Sequence, residues 1–144
     1  MKHGTWVVVA DGKKVLFLHN QGDEDILDLR VRGERVQDNP ATREQGEQRP
    51  GRAFATSGSG RSAMGQTDWH QIAEDKFATE VARDINEAAM AKAFEHLIVV
   101  APPKVLAELR THLRKQARDC LVAEIAKDLT NHPIEEMQKI LADA

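Results

Sequence analysis

Apolar and polar positions along this chain switch between two periods, two residues for strands and three to four for helices. Thr5 to Ala10 and Lys14 to His19 are short β-rich runs on either side of Asp11-Gly12-Lys13. Asp-Gly between two such runs is a hairpin signal. Asp25 to Val31 alternates in its second half and predicts a third strand with one face buried. From Arg32 to Gln66 the periodicity disappears. Gly33, Pro40, Gly46, Pro50, Gly51, Gly58, Gly60 and Gly65 punctuate this stretch, which far exceeds the usual connection length, so a long flexible Arg/Gly-rich loop is expected over 32–66.

Helical spacing takes over beyond the loop. Ala73, Phe77, Val81, Ile85, Ala88 and Ala89 recur every three or four residues, with Glu74, Asp75, Glu80 and Arg83 off the stripe. Thr67 or Asp68 is suited to cap this helix, which is expected to run to about Phe94. His96 to Ala101 is almost continuously apolar, the pattern of a central strand covered on both faces, and Pro102-Pro103 ends it. Lys104 to Leu113 predicts a helix with Val105, Leu106, Leu109 and Leu113 inward, and Leu121 to Ile125 one more strand. Pro133 to Leu141 predicts a last helix, with proline in its first turn and Glu135 and Glu136 near its positive end. The order gives one α/β domain over 1–144, a mixed sheet of about five strands with helices packed on it.

Charge changes the picture only locally. Twenty Lys+Arg face 23 Asp+Glu, a net charge of -3, so bulk charge does not make the chain a polycation. The loop differs from the rest. It holds six arginines and no lysine against Glu34, Asp38, Glu44 and Glu47, a net +2 that leaves -5 elsewhere. Guanidinium suits bidentate phosphate contact better than ammonium does.

A single cysteine, Cys120, excludes an internal disulfide and fits a reducing compartment, and its expected place is a buried position in a strand. Trp6 to Ala10 is too short for a signal-peptide core or a membrane span, so a cytoplasmic location without membrane contact is expected. The six histidines lack metal-ligand spacing, and neither a metal nor another cofactor is expected. Ser57, Ser59 and Ser62 alternate with glycines but lack the Lys-Ser/Thr of a phosphate-binding P-loop.

Three stretches carry a family resemblance that spans nearly all of the chain. They are Thr5-Trp6-Val7-Val8-Val9-Ala10-Asp11-Gly12, then Val99-Val100-Ala101-Pro102-Pro103 with Leu106 and Leu109-Arg110, then Lys127-Asp128-Leu129-Thr130-Asn131-His132-Pro133. Together they resemble the bacterial host attachment protein family, which is similar to the central domain of class 1 release factors of archaea and eukaryotes. That resemblance implies a ribonuclease-H-like α/β sandwich. In those release factors a Gly-Gly-Gln motif approaches the peptidyl-tRNA ester, and its glutamine positions the attacking water. The matching stretch here is Gly60 to Gln66, with Met64 where the first glycine stands, so only Gly65 and Gln66 carry over.

The function expected is a non-enzymatic RNA- or ribosome-binding module, with a ribosome or tRNA as partner. Its contacts would be Arg43, Arg49, Arg52 and Arg61 with Gly65 and Gln66. The alternative implied by the resemblance is a factor for attachment to host cells, acting through protein or surface interaction. A third reading is enzymatic: a peptidyl-tRNA hydrolase using Gly65 and Gln66, or a Mg²⁺-dependent nuclease built on Asp11 with Asp25, Asp28 or Asp68. The oligomeric state is left open by the sequence.

Overall fold

The computed structural model describes residues 1–37 and 59–143, and residues 59–68 by their backbone alone. Its elements are β1 (Trp6–Ala10), β2 (Lys14–Asn20), β3 (Leu29–Val36), α1 (Ser59–Met90), β4 (Leu97–Ala101), α2 (Pro103–His112), α3 (Lys115–Cys120), β5 (Leu121–Ala126) and α4 (Ile134–Ala142). The strands form one mixed sheet in the order β3-β2-β1-β4-β5. β1 and β2 form the expected antiparallel hairpin, β2 pairs antiparallel with β3, and β1-β4 and β4-β5 are parallel. The α/β class and the five-stranded mixed sheet are those read from the sequence.

Alternation along the strands sends side chains to two separate cores. Val8, Ala10, Val15 and Val99 meet Phe77, Val81 and Ile85 of α1, Leu106 and Leu109 of α2, and Ala117 of α3. On the other face Val7, Val9, Leu18 and Val100 meet Leu129 and, from α4, Met137 and Leu141. Among the described residues no helix is long and apolar enough to cross a membrane.

Several boundaries differ from expectation. The third strand starts at Leu29 and not at Asp25, because the Asp23 carboxylate accepts hydrogen bonds from the amides of Asp25 and Ile26, both 2.9 Å, and bends the chain there. It then runs on to Val36, hydrogen-bonded to β2 although most of its side chains are exposed. Helix α1 begins at Ser59, before Thr67 and Asp68, and ends at Met90, before Phe94. The expected loop over 32–66 is therefore trimmed at both ends. A helix tolerates Gly60 and Gly65 at about 1 kcal/mol each, which punctuation alone does not reveal. Cys120 closes α3, a helix absent from the sequence reading, and is half-buried rather than a core strand residue. Burial, with Asp119 and Glu95 nearby, pushes its thiol pKa up.

The end of α1 has a definite cause. Ala93 N–H donates to Ala88 O at 2.9 Å and Lys92 N–H to Ala89 O at 3.0 Å, the paired bonds of a Schellman cap. Lys92 takes the left-handed position at φ 57°, where a side chain is strained.

Opposite the β1-β2 turn, buried Asn20 organises the chain around β2's end. Its amide nitrogen donates to Met1 O at 2.9 Å, and its oxygen accepts from Gly22 N at 2.9 Å and Asp28 N at 3.0 Å. Gly22 is required beside it, since a Cβ there would lie 1.9 Å from Ile26 O. One residue earlier, His19 has its Nδ1 buried without a hydrogen-bond partner among the described residues. Burial, followed by the positive charges of Arg32, His3 and Arg30, lowers its pKa.

Three outcomes follow for stability. Asn20→Ala strands the Gly22 and Asp28 amides and should cost about 2 kcal/mol or more in chemical denaturation. Lys92→Gly relieves the left-handed strain and should stabilise by about 0.5–1 kcal/mol, read as a higher denaturation midpoint with unchanged slope. For His19 the unfolded chain binds a proton, at its ordinary pKa of 6.5, more readily than the folded chain does. Stability should therefore fall as pH drops below 6.5, and His19→Gln should flatten that part of the profile.

Candidate functional site

The carboxyl ends of β1, β4 and β5 share one edge of the sheet, the edge at which open α/β sheets place their ligands. Three stretches singled out in the sequence meet there. Asp11-Gly12 follows β1, Pro102-Pro103 follows β4, and Lys127 to Pro133 follows β5. Asp11 is the hairpin-turn residue expected of it: its Oδ1 accepts from the amides of Lys13 and Lys14, both 2.7 Å. Its second oxygen, Oδ2, lies 2.8 Å from the hydroxyl of Thr130, which is also 2.9 Å from Asp128 Oδ1. Thr130 is buried, so the segment after β5 is fastened across the sheet edge to the first turn. Sequence spacing gave no hint of this link, because 119 residues separate its two ends.

Helix α1 passes over the same edge. Glu74 lies against Gly12, where a Cβ would be 3.0 Å from its Cδ. Gln71 donates to Asp75 at 2.8 Å and receives the Lys104 ammonium from the first turn of α2. Trp69 and Ile72 are exposed, and Phe77 is the first buried side chain among those described on the helix. About 27 Å of helix, from Ser59 to Lys76, thus precedes the first buried side chain.

The sequence-predicted residues distribute as follows. Arg61, Gly65 and Gln66 lie on the backbone of α1, so Gly65-Gln66 is helical rather than part of a loop leading into a helix. Arg43, Arg49 and Arg52 lie outside the described residues. Two of the six arginines expected in the loop belong to the sheet instead. Arg32 is the extra residue of a bulge in β3, opposite Phe17/Leu18, and its guanidinium stacks 5.2 Å from the ring centre of Trp6. Arg35 binds Asp84 of α1 through two hydrogen bonds of 2.8 and 3.1 Å.

Of the carboxylates proposed for a nuclease, the Asp68 side chain lies outside the described residues, and Asp11 is not brought together with Asp25 or Asp28. Asp11 lies at the carboxyl end of β1, whereas Asp28 is tied to Asn20 beside its amino end, about 17 Å of strand away. Asp28 is occupied by Arg30 at 2.9 Å, and Asp25 sits in the Asp23 turn. Metal ions shared in two-metal catalysis lie about 4 Å apart, so Asp11 cannot form such a site with Asp25 or Asp28. Among the described residues no group of three His, Cys, Asp or Glu side chains is placed to hold a metal.

Comparison with known proteins bears on the whole of this arrangement. The crystal structure of an archaeal translation termination factor, aRF1, is similar with a TM-score of 0.47 and 12% sequence identity, over 96% of this chain and 41% of that one. The chain thus spans well under half the length of that factor. No curated protein sequence matches it significantly. The family model for "Bacterial archaeo-eukaryotic release factor family 12" matches residues 4–141. That span takes in the hairpin, the Asp11–Thr130 link and all the described elements but the last residue of α4, and the chain belongs to bacterial archaeo-eukaryotic release factor family 12.

Proposed function

We propose that the chain is a non-enzymatic module that contacts RNA, as part of a ribosome or tRNA, through Arg43, Arg49, Arg52 and Arg61. Membership of a release-factor family supports a translation-linked partner. The observation that carries the reading is the division among the arginines. Arg30, Arg35 and Arg110 are each held by a carboxylate of the body, Asp28, Asp84 and Glu124, and Arg32 stacks on Trp6. Arg43, Arg49, Arg52 and Arg61 lie in the sequence between β3 and the docked half of α1. Such a cationic stretch on an anionic body suits phosphate contact without sequence readout.

The same residues favour binding over hydrolysis. Met64 stands at the position of the first glycine, and Gly65 and Gln66 are part of α1. A helical backbone leaves unused the conformational freedom for which a glycine pair is suited.

Sedimentation with ribosomes through sucrose gradients tests the proposal. Co-sedimentation at low salt, lost at high salt, is expected, and absence from ribosomal fractions at low salt overturns it. Replacing Arg49, Arg52 and Arg61 together by glutamine should weaken binding and flatten its salt dependence by up to about 3 in the log–log slope. Peptidyl-tRNA incubated with the purified protein should remain intact.

A further inference from the structure

A second concave surface lies on the other half of α1, where the helix faces the junction between α2 and α3. Its volume is about 740 Å³, within the range of small-molecule sites. Thr79, Arg83, Asn86 and Glu87 line it from α1, and His112, Arg114 and Gln116 from the junction. We propose that this groove binds a nucleoside phosphate, with Arg83 and Arg114 holding the phosphoryl group.

Its cations are the first reason. Arg83 and Arg114 have no carboxylate within ion-pair distance among the described residues, unlike Arg35 of β3 and Arg110 of α2, which are matched to Asp84 and Glu124. Two guanidinium groups that line one groove, from α1 and from the junction, suit a dianion. His112 adds a ring nitrogen at the same place, 3.4 Å from the hydroxyl of Thr79 and 3.9 Å from Glu108.

The second reason is preorganisation. Asn86 reaches from α1 to the junction, donating to His112 O at 3.1 Å and accepting from Arg114 N at 2.8 Å. Both walls are thereby fixed to each other by one side chain on two backbone groups before any ligand arrives, which reduces the ordering cost of binding.

The groove also changes character along its length. Met90, exposed at 62%, and Ala91 line it two turns beyond Arg83, about 10 Å along the helix. A phosphoryl group at Arg83 and a nucleobase on the thioether and methyl surface of Met90 and Ala91 match that span. Glu87 lies between them as an acceptor for ribose hydroxyls, whereas a bare polyanion would meet repulsion there. The lining shares no residue with Arg43, Arg49, Arg52 and Arg61, so ribosome sedimentation and nucleotide binding can fail separately.

The test is amide NMR of the full chain titrated with AMP, adenosine and inorganic phosphate. AMP is expected to shift the amides of Arg83, Asn86, His112 and Arg114 and to bind at least tenfold more tightly than adenosine or phosphate. Arg83→Gln and Arg114→Gln should each weaken AMP roughly tenfold while the spectrum remains that of the folded protein. A 5′-phosphorylated oligoribonucleotide distinguishes the sources: shifts at the same amides assign the site to a strand end, and their absence assigns it to a free nucleotide. The proposal is overturned if AMP leaves these amides unshifted, if adenosine binds as well as AMP, or if both variants bind AMP unchanged.

Discussion

Burial of β1 on both faces is the constraint on which the rest of the structure depends. Val7, Val8 and Val9 are fully buried, the first and last toward α4 and the middle one toward α1. A strand so enclosed tolerates no slip in register, because a shift of one residue would exchange the contents of the two cores. β2 and β4 inherit their alignment from it, and the groove between α1 and the α2–α3 junction inherits its place from α1, which docks on it through Val8 and Ala10. Asp11 at its end and Thr130 beyond β5 then close the sheet edge with one buried hydroxyl.

Elements that owe their existence to local signals were legible in the sequence. The hairpin was written in Asp11-Gly12, β4 in an unbroken apolar run, and the docked half of α1 in the stripe from Phe77 to Ala89. β3 was only half legible. As an edge strand it is held by backbone bonds to β2, and its charged, exposed side chains carry no burial pattern. α3 escaped notice for a similar reason, since Ala117 is its one buried residue.

The sites were less legible than the fold. The position of Asp11 at a turn could be read locally, but its partner Thr130 is joined to it by topology alone. Arg83 and Asn86 lie off the apolar stripe of α1 and have the pattern of a solvated face. The α2–α3 junction borders that face through Asn86, and no periodicity connects residues 83 and 86 with 112 and 114. Arginine counting was informative in sum but not in detail. Arg32 and Arg35, counted with the loop, are absorbed by an aromatic ring and a carboxylate.

The way Asn86 spans the α1 groove has a consequence for how this surface can diverge. Its partners are a carbonyl and an amide, groups that every sequence supplies at those positions apart from proline at the amide. The outline of the recess is therefore set by main-chain geometry and a single amide side chain. A chain that keeps this one asparagine is free to exchange the surrounding guanidinium, imidazole and thioether groups without rebuilding the scaffold.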